Sequence, residues 1–200
     1  MMTQLATVKE RLGILPADTQ YDGLLTRAIA AVSARFDREC NRVFARTVGF
    51  TQEFPATEAE IIASCYPIEA VSKLELKTSE VEGWVEQTGI DYVVRRACVI
   101  SLKGSFGVLA RGLASEAGLG RVTYTGGYVM PGTTPGAGQA ALPADLEHAV
   151  IEQVAAWFYN KEKVGLIRHW PDVGAYVVLS QLPLLPEVAA MIRPYRRWSV

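Results

Sequence analysis

The periodicity of the apolar residues changes twice along this chain, and these changes constrain its fold more than any other feature. Apolar side chains first recur every three or four positions, the spacing of one helix face, at Leu25, Ile29, Val32, Phe36 and Cys40. The following region is rich in Val, Ile, Thr and aromatic residues interrupted by Gly and Pro, which is typical of short β-strands. Helical spacing then returns at Leu146, Val150, Val154 and Trp157. The pattern predicts helices at both ends and a β portion between them.

The helical regions have recognisable ends. Thr3 can cap a short first helix, which Gly13 would end. The second helix is predicted over 18–42 and the third over 143–161, where a proline and an acidic residue suit the first turn. Prolines in the last thirty residues exclude one long helix there, so residues 187–192 are predicted to form only one or two helical turns.

The middle region contains six segments with the composition of strands. They are residues 48–54, 60–64, 71–77, 92–95, 98–102 and 121–124. The third segment does not alternate regularly, which indicates either a bulge or an error in its register. No helical pattern separates the segments, as a parallel sheet would require, so an antiparallel sheet or sandwich is expected. The predicted fold class is α+β: a small helical bundle with an inserted antiparallel β subdomain and an extended C-terminal arm.

This pattern divides the chain into four expected parts. Residues 1–46 would form the N-terminal helices of the bundle, and residues 47–128 the β insertion. Residues 129–179 would hold a loop and the C-terminal bundle helix. Residues 180–200 would form a C-terminal docking arm.

Charge and hydropathy exclude some classes of partner. Twenty Lys and Arg residues balance 21 Asp and Glu, giving a formal net charge of −1, which argues against a surface coated in nucleic acid. No apolar run reaches the roughly 18 residues that span a bilayer, and the polar start of the chain does not resemble a signal peptide. We therefore expect a soluble protein made in the cytoplasm, with no membrane partner.

The three cysteines specify neither a disulfide framework nor a zinc site. Cys40, Cys65 and Cys98 lie far apart, and the chain has no CxxC motif or Cys/His cluster. Cys40 follows an apolar helical stripe and Cys98 begins a predicted strand, so both are expected to be small buried hydrophobic residues.

No pattern of residues specifies an active site. His148 lies beside the apolar stripe of the third helix and His169 in a predicted loop, and neither has a nucleophile or second acid nearby. Residues 104–107 have the wrong spacing for a nucleophile elbow, and residues 136–141 lack the preceding strand of a dinucleotide-binding loop. We expect no enzymatic activity, no cofactor and no metal.

The C-terminal segment is both basic and aromatic. Arg193, Arg196 and Arg197 are interleaved with Tyr195 and Trp198. Arg, Tyr and Trp dominate interface hot spots, because each buries a large area and offers directed hydrogen-bond donors. The stretch after Pro186 has too little apolar periodicity to make an independent core element, and Pro194 favours an extended backbone. Docking into another protein is the favoured interpretation; folding back on its own domain and stacking on nucleic-acid bases are the alternatives.

Six short stretches occur in an order that matches a known family. They are residues 8–14 (VKERLGI), 39–44 (ECNRVF), 66–71 (YPIEAV), 122–128 (VTYTGGY), 142–149 (LPADLEHA) and 193–198 (RPYRRW). Together they resemble the phage head–tail connectors, the adaptor proteins that complete the head beneath the portal. Related adaptors of gene transfer agents and prophages would have the same pattern.

The resemblance implies an assembly and a set of partners. It implies a dodecameric ring beneath the portal protein, with packaged DNA passing through its channel without sequence-specific binding. The arm that docks on the portal would consist of Arg193, Tyr195, Arg196, Arg197 and Trp198. A stopper or tail-completion protein would bind the ring in turn. The implied location is the neck of a virion assembled in the bacterial cytoplasm. A non-viral protein-binding module and an enzyme of unrecognised class are the alternatives.

Overall fold

The chain divides into two compact units. The helical unit comprises Met1–Cys40 and Leu142–Arg196, and the β unit comprises Asn41–Ala141 and Arg197–Val200. Within them, the computed structural model describes residues 1–103, 118–161 and 183–197, together with the backbone of 167–170 and 175–178. The fold class is α+β, with helices and antiparallel sheets, as the sequence predicts.

Four α-helices are present in the described part of the helical unit: α1 (Leu5–Leu12), α2 (Asp22–Glu39), α3 (Ala144–Tyr159) and α4 (Pro186–Ile192). Helices α1 and α2 pack on each other, and both pack on α3, which also carries α4. The predicted apolar stripe of α2 is confirmed, because all five of its residues are buried. The short helix predicted at 187–192 is also confirmed.

Local polar contacts change two predicted helix ends. The α2 helix begins at Asp22 rather than 18, because the carboxylate of Asp18 accepts the N–H of Gln20 at 3.0 Å and holds a turn there. Thr3 does not cap α1, since its hydroxyl donates to the carboxylate of Glu147 on α3 at 3.1 Å. Thr3 therefore has the predicted capping chemistry but uses it in a contact between helices.

An antiparallel hairpin that the sequence analysis did not predict also belongs to the helical unit. It pairs β10 (Ile167–Trp170) with β11 (Ala175–Val178). The prediction of a loop around His169 is therefore wrong, since this residue lies in β10. The sequence contains a pattern that indicates this pair of strands: two runs with branched and aromatic residues, separated by Pro-Asp-Val-Gly.

Nine strands form the described part of the β unit: β1 (Thr47–Pro55), β2 (Glu60–Ile62), β3 (Ile68–Lys77), β4 (Val85–Glu86), β5 (Asp91–Arg95), β6 (Val99–Lys103), β7 (Leu119–Gly126), β8 (Tyr128–Val129) and β9 (Ala140–Ala141). One antiparallel sheet has the order β1-β7-β3-β4 and another the order β2-β6-β5. The short β8–β9 pair is parallel. Register shifts in β3 confirm the irregularity expected there.

The core of the β unit contains a buried hydroxyl with a full set of partners. Tyr124 on β7 is completely buried. Its hydroxyl donates to the side-chain carbonyl of Gln52 and accepts the backbone N–H groups of Ser64 and Cys65, each at 3.0 Å. Burial raises the pKa of this hydroxyl, so it stays protonated at neutral pH. The phenol therefore ties β7 to the segment that follows β2.

The cysteine predictions hold for one residue of two. Cys40 is completely buried, as expected, whereas Cys98 is only partly buried and lies in the turn between β5 and β6. The positive φ angles of Arg96 (50°) and Ala97 (54°) set that turn and delay the next strand by one residue. No helix in the described ranges combines the length and apolar composition needed to cross a bilayer.

Candidate docking segment at the C-terminus

The C-terminal segment is positioned by a buried glutamine on α3. Gln153 is completely buried, and its side-chain carbonyl accepts the N–H of Leu185 at 2.9 Å. Its amide donates to the carbonyl of Pro183 at 3.4 Å. Pro186 follows directly as the first residue of α4, a position whose backbone N–H has no partner within the helix, so its absence in proline costs no hydrogen bond. Gln153 therefore fixes the place where the last helix begins.

Helix α4 is part of the core of the helical unit. Val188 is 1% exposed and Ile192 is fully buried, four positions apart on one helix face. The Cys40 thiol donates to the carbonyl of Ile192 at an Sγ–O distance of 3.6 Å. The stretch after Pro186, which the sequence predicts to form no independent core element, adds these two side chains to the core of the helical unit.

The residues after α4 continue as one turn of 3₁₀-helix, Arg193–Tyr195, rather than as extended chain. The prediction that Pro194 extends the backbone is wrong here, because its fixed φ suits a 3₁₀ turn equally well. The Tyr195 hydroxyl donates to the carboxylate of Asp145, with both oxygens at 2.8 Å. This contact fastens the turn to the first turn of α3.

The arginines of the segment differ in exposure. Arg193 and Arg196 are exposed, and one nitrogen of Arg196 lies 3.7 Å from the carboxylate of Glu39. Arg197 is half-buried in the β unit, where it donates to the carbonyl of Ile62 at 2.9 Å, and its Nε is buried without a hydrogen-bond partner. Trp198 lies outside the described residues. Of the predicted docking residues, Arg193 and Arg196 are therefore the exposed cations.

Arg196 also lines an open basin on the helical unit. The basin has a volume of about 520 Å³ and is lined by Arg35, Arg38, Glu39 and Arg196. The Glu39 carboxylate lies 3.7 Å from a guanidinium nitrogen of both Arg35 and Arg196. Three guanidinium groups thus face a single carboxylate, and the basin carries net positive charge. Sequence reasoning did not find it, since it joins α2 to a residue far along the chain.

Three of the motif stretches meet around Arg42 in the β unit. The guanidinium of Arg42, only 4% exposed, lies 3.3 Å from the ring centre of Tyr66, 4.4 Å from that of Phe44 and 5.4 Å from that of Tyr128. It also donates to the carbonyl of Tyr66. Such stacking stabilises a buried guanidinium, which is more weakly hydrated than an ammonium group.

The two glycines of the stretch 122–128 belong to the same arrangement. A Cβ at Gly126 would lie 2.5 Å from the carbonyl oxygen of Cys65, and one at Gly127, whose φ is +98°, would lie 2.6 Å from that of Ala45. Only glycine permits this close approach of backbone. These motifs therefore maintain the fold of the β unit.

The structure describes only part of the remaining candidate residues. His148 is exposed on α3, only the backbone of His169 is described, and residues 104–107 lie outside the described residues. In the stretch 136–141, the N–H of Gly136 binds the side chain of Gln139 at 2.9 Å, which closes the turn on itself. Across the parts of the chain that the structure describes, no three His, Cys, Asp or Glu side chains lie close enough to hold a metal ion.

Comparison with known proteins gives likeness of fold. No protein-family model matches the chain, and no curated protein matches it. Among solved structures, it is similar to a chain of "Neck of empty GTA particle computed with C6 symmetry", with 17% identity, a TM-score of 0.57, and coverage of 100% of this chain and 91% of the other. It is also similar to a chain of "Virion of native gene transfer agent (GTA) particle", with 20% identity, a TM-score of 0.61 and the same coverage. The fold is therefore shared with these particle proteins over its whole length.

Proposed function

We propose that this chain is a structural protein of the neck of a phage-like particle. In this proposal it forms a ring, expected to be dodecameric, beneath the portal, extends the DNA channel and offers a docking site to a stopper or tail-completion protein. The observation that carries the proposal is the fold shared over the full chain with proteins of gene transfer agent particles, one of them a neck structure. A role as a phage head–tail adaptor, assembled in the bacterial cytoplasm, is the specific form of this proposal.

The charge balance supports passage of DNA. A formal net charge of −1 over 200 residues provides no large excess of cations to hold phosphate groups. Because each neutralised phosphate strengthens binding and must be released again, a strongly basic channel would retain the DNA that it has to conduct. The proposal therefore involves packaged DNA without sequence-specific contacts, and neither an enzymatic step nor a cofactor.

The portal is the proposed partner of the C-terminal segment. Arg193 and Arg196 present exposed guanidinium groups, which bind carboxylates in a bidentate manner. Tyr195 and Arg197 are bound to Asp145 and to a backbone carbonyl, so in this proposal they hold the segment in place for docking. Trp198 would fill an apolar pocket of the portal.

Point substitutions test this proposal better than truncation, because a chain ending at Leu185 would lose the buried Val188 and Ile192. Full-length Arg193→Ala and Trp198→Ala variants are sedimented with cognate portal rings. Each truncation of a hot-spot residue should remove about 2 kcal/mol, or about thirtyfold in affinity. Arg27→Ala, an exposed arginine of α2, is the matched control and should bind normally.

The outcomes separate the alternatives. A wild-type chain that stays monomeric and does not bind portal would contradict the neck assignment and favour a non-viral binding module. Normal binding by folded Arg193→Ala and Trp198→Ala variants would show that the docking surface lies elsewhere.

A further inference from the structure

The β unit carries an acidic segment whose charge is opposite to that of the basic basin of the helical unit. The segment of residues 78–86, which follows β3 and includes β4, is called the acidic tip. It contains three carboxylates; the Lys77 ammonium group lies 2.6 Å from the Glu80 carboxylate, and the Lys73 ammonium group lies 3.6 Å from the Glu86 carboxylate. The basin presents three guanidinium groups and one carboxylate. The basin is therefore net positive, whereas the tip, with three carboxylates against two nearby ammonium groups, is net negative.

The acidic tip has the exposure of a surface built for contact. The Glu80 side chain is 89% exposed, and the neighbouring Val81 is 97% exposed. Covering such an exposed aliphatic side chain with a partner surface lowers the free energy of the complex, because apolar area is removed from water. The tip thus combines charge for recognition with an apolar group that another surface can bury.

Hydrogen bonds within the tip give it a defined shape. The Thr78 hydroxyl donates to the Glu82 carboxylate at 2.6 Å, and the Glu82 N–H donates to the hydroxyl of Ser79 at 3.1 Å. The Gly83 N–H donates to the carbonyl of Ser79 at 3.2 Å, and Gly83 adopts a φ of +70°. A turn that is already ordered loses less conformational entropy on docking than a free loop.

The basin has the complementary capacity. Arg38 is exposed, and within the described ranges no carboxylate lies within 4 Å of it. The central Glu39 carboxylate is shared by Arg35 and Arg196 at 3.7 Å each, which is too long for strong charge-assisted bonds. Guanidinium groups bind carboxylates in a bidentate manner, so the basin can take the carboxylates of a short acidic peptide. The charge complementarity between the basin and the acidic tip of this same chain therefore favours a protein segment as the occupant.

We propose that the basic basin of one chain binds the acidic tip of a second copy of this chain. The proposal rests on the ring assembly proposed above and specifies its contact between subunits. Because the basin and the tip are different surfaces, the contact is head-to-tail, the kind that produces a ring when the rotation between neighbours closes. Complementary charge also selects the correct neighbour and orientation.

Charge reversal at one residue of each surface tests the contact. In the proposed contact, Arg38→Glu sets an acidic residue of the basin against the acidic tip, and Glu80→Lys sets a basic residue of the tip against Arg38. Wild-type chain, followed by sedimentation velocity over a wide concentration range, should associate beyond a dimer, and less so in high salt. Each single variant should associate about tenfold more weakly or worse.

Mixing the variants provides the decisive measurement. An equimolar mixture of Arg38→Glu and Glu80→Lys chains should recover association, since neighbours can alternate and pair opposite charges. The double variant Arg38→Glu/Glu80→Lys should recover it alone. Arg27→Glu, on the same helix about 16 Å away, and Glu58→Lys, another exposed acid of the β unit, are the matched controls and should behave as wild type.

Several results would overturn the proposed contact. These are a wild-type chain that is monomeric at every concentration, folded single variants that associate normally, a mixture that does not recover, and association that stops at a dimer. DNA retention that depends on Arg38, without self-association, would assign the basin to nucleic acid instead. Failure of wild-type chain to bind portal would contradict the proposed function, whereas these results would contradict the subunit contact.

Discussion

Replacing Gln153 with methionine should weaken the attachment of helix α4 to the helical unit. Methionine is equally long and unbranched, so it fills the buried space while removing both polar atoms. The Leu185 N–H then loses its acceptor at 2.9 Å, and the Pro183 carbonyl loses a donor at 3.4 Å. Helix α4 begins at the residue after Leu185, so its attachment is weakened at its start.

The size of the effect follows from these two contacts. A net hydrogen bond contributes about 1 kcal/mol, and a half-buried N–H left without a partner costs about another 1 kcal/mol. The longer bond to Pro183 adds little, because its geometry is poor. The total of about 2 kcal/mol corresponds to about a thirtyfold increase in the opening of α4.

Native-state hydrogen exchange of the α4 amides measures this opening directly. We expect about thirtyfold faster exchange over residues 187–192 in Gln153→Met, since Pro186 has no amide hydrogen, with little change in the β unit. Val154→Ala is the control, because it creates a cavity at the next residue of α3 but leaves the Leu185 contact intact. Exchange of α4 in folded Gln153→Met that stays within a fewfold of wild type would refute this account of its attachment.

Two further predictions concern the β unit. The Glu75 carboxylate is bound by a guanidinium and an ammonium group, which lower its pKa from 4.5 to about 2. Its contribution to stability is therefore complete above about pH 4.5 and disappears as the pH falls towards 2. The free energy of unfolding, measured by urea titration across this range, should depend less steeply on pH in Glu75→Gln than in wild type. Equal slopes would contradict this. Gly120→Ala should lower the urea midpoint, because a Cβ there would lie 2.3 Å from the buried ring of Phe54, whereas Gly23→Ala on α2 has open space and should be neutral or stabilising. A Gly120→Ala variant as stable as wild type would show that the ring can move away.

The fold class could be read from the sequence because its evidence is local. The stripe from Leu25 to Cys40 predicted the buried face of α2, and the irregular alternation in β3 indicated its register shifts. These patterns depend on residues a few positions apart, whose side chains must share a face once the backbone is helical or extended. Composition likewise predicted the antiparallel pairing of the two larger sheets.

Tertiary contacts decided how individual polar and basic side chains are used. Thr3 was predicted to cap a helix but instead binds Glu147, and Gln153 fixes the start of α4 although nothing around it marks that role. Arg38 and Arg196 face one basin although they lie far apart in the chain. A polar side chain satisfies its hydrogen bonds with whichever group the folded chain brings within reach, and distant groups leave no periodic trace in the sequence. The sequence therefore determined the main helices, the longer strands and the buried face of α2, whereas tertiary contacts determined the anchoring of the C-terminal segment and the charged surfaces around it.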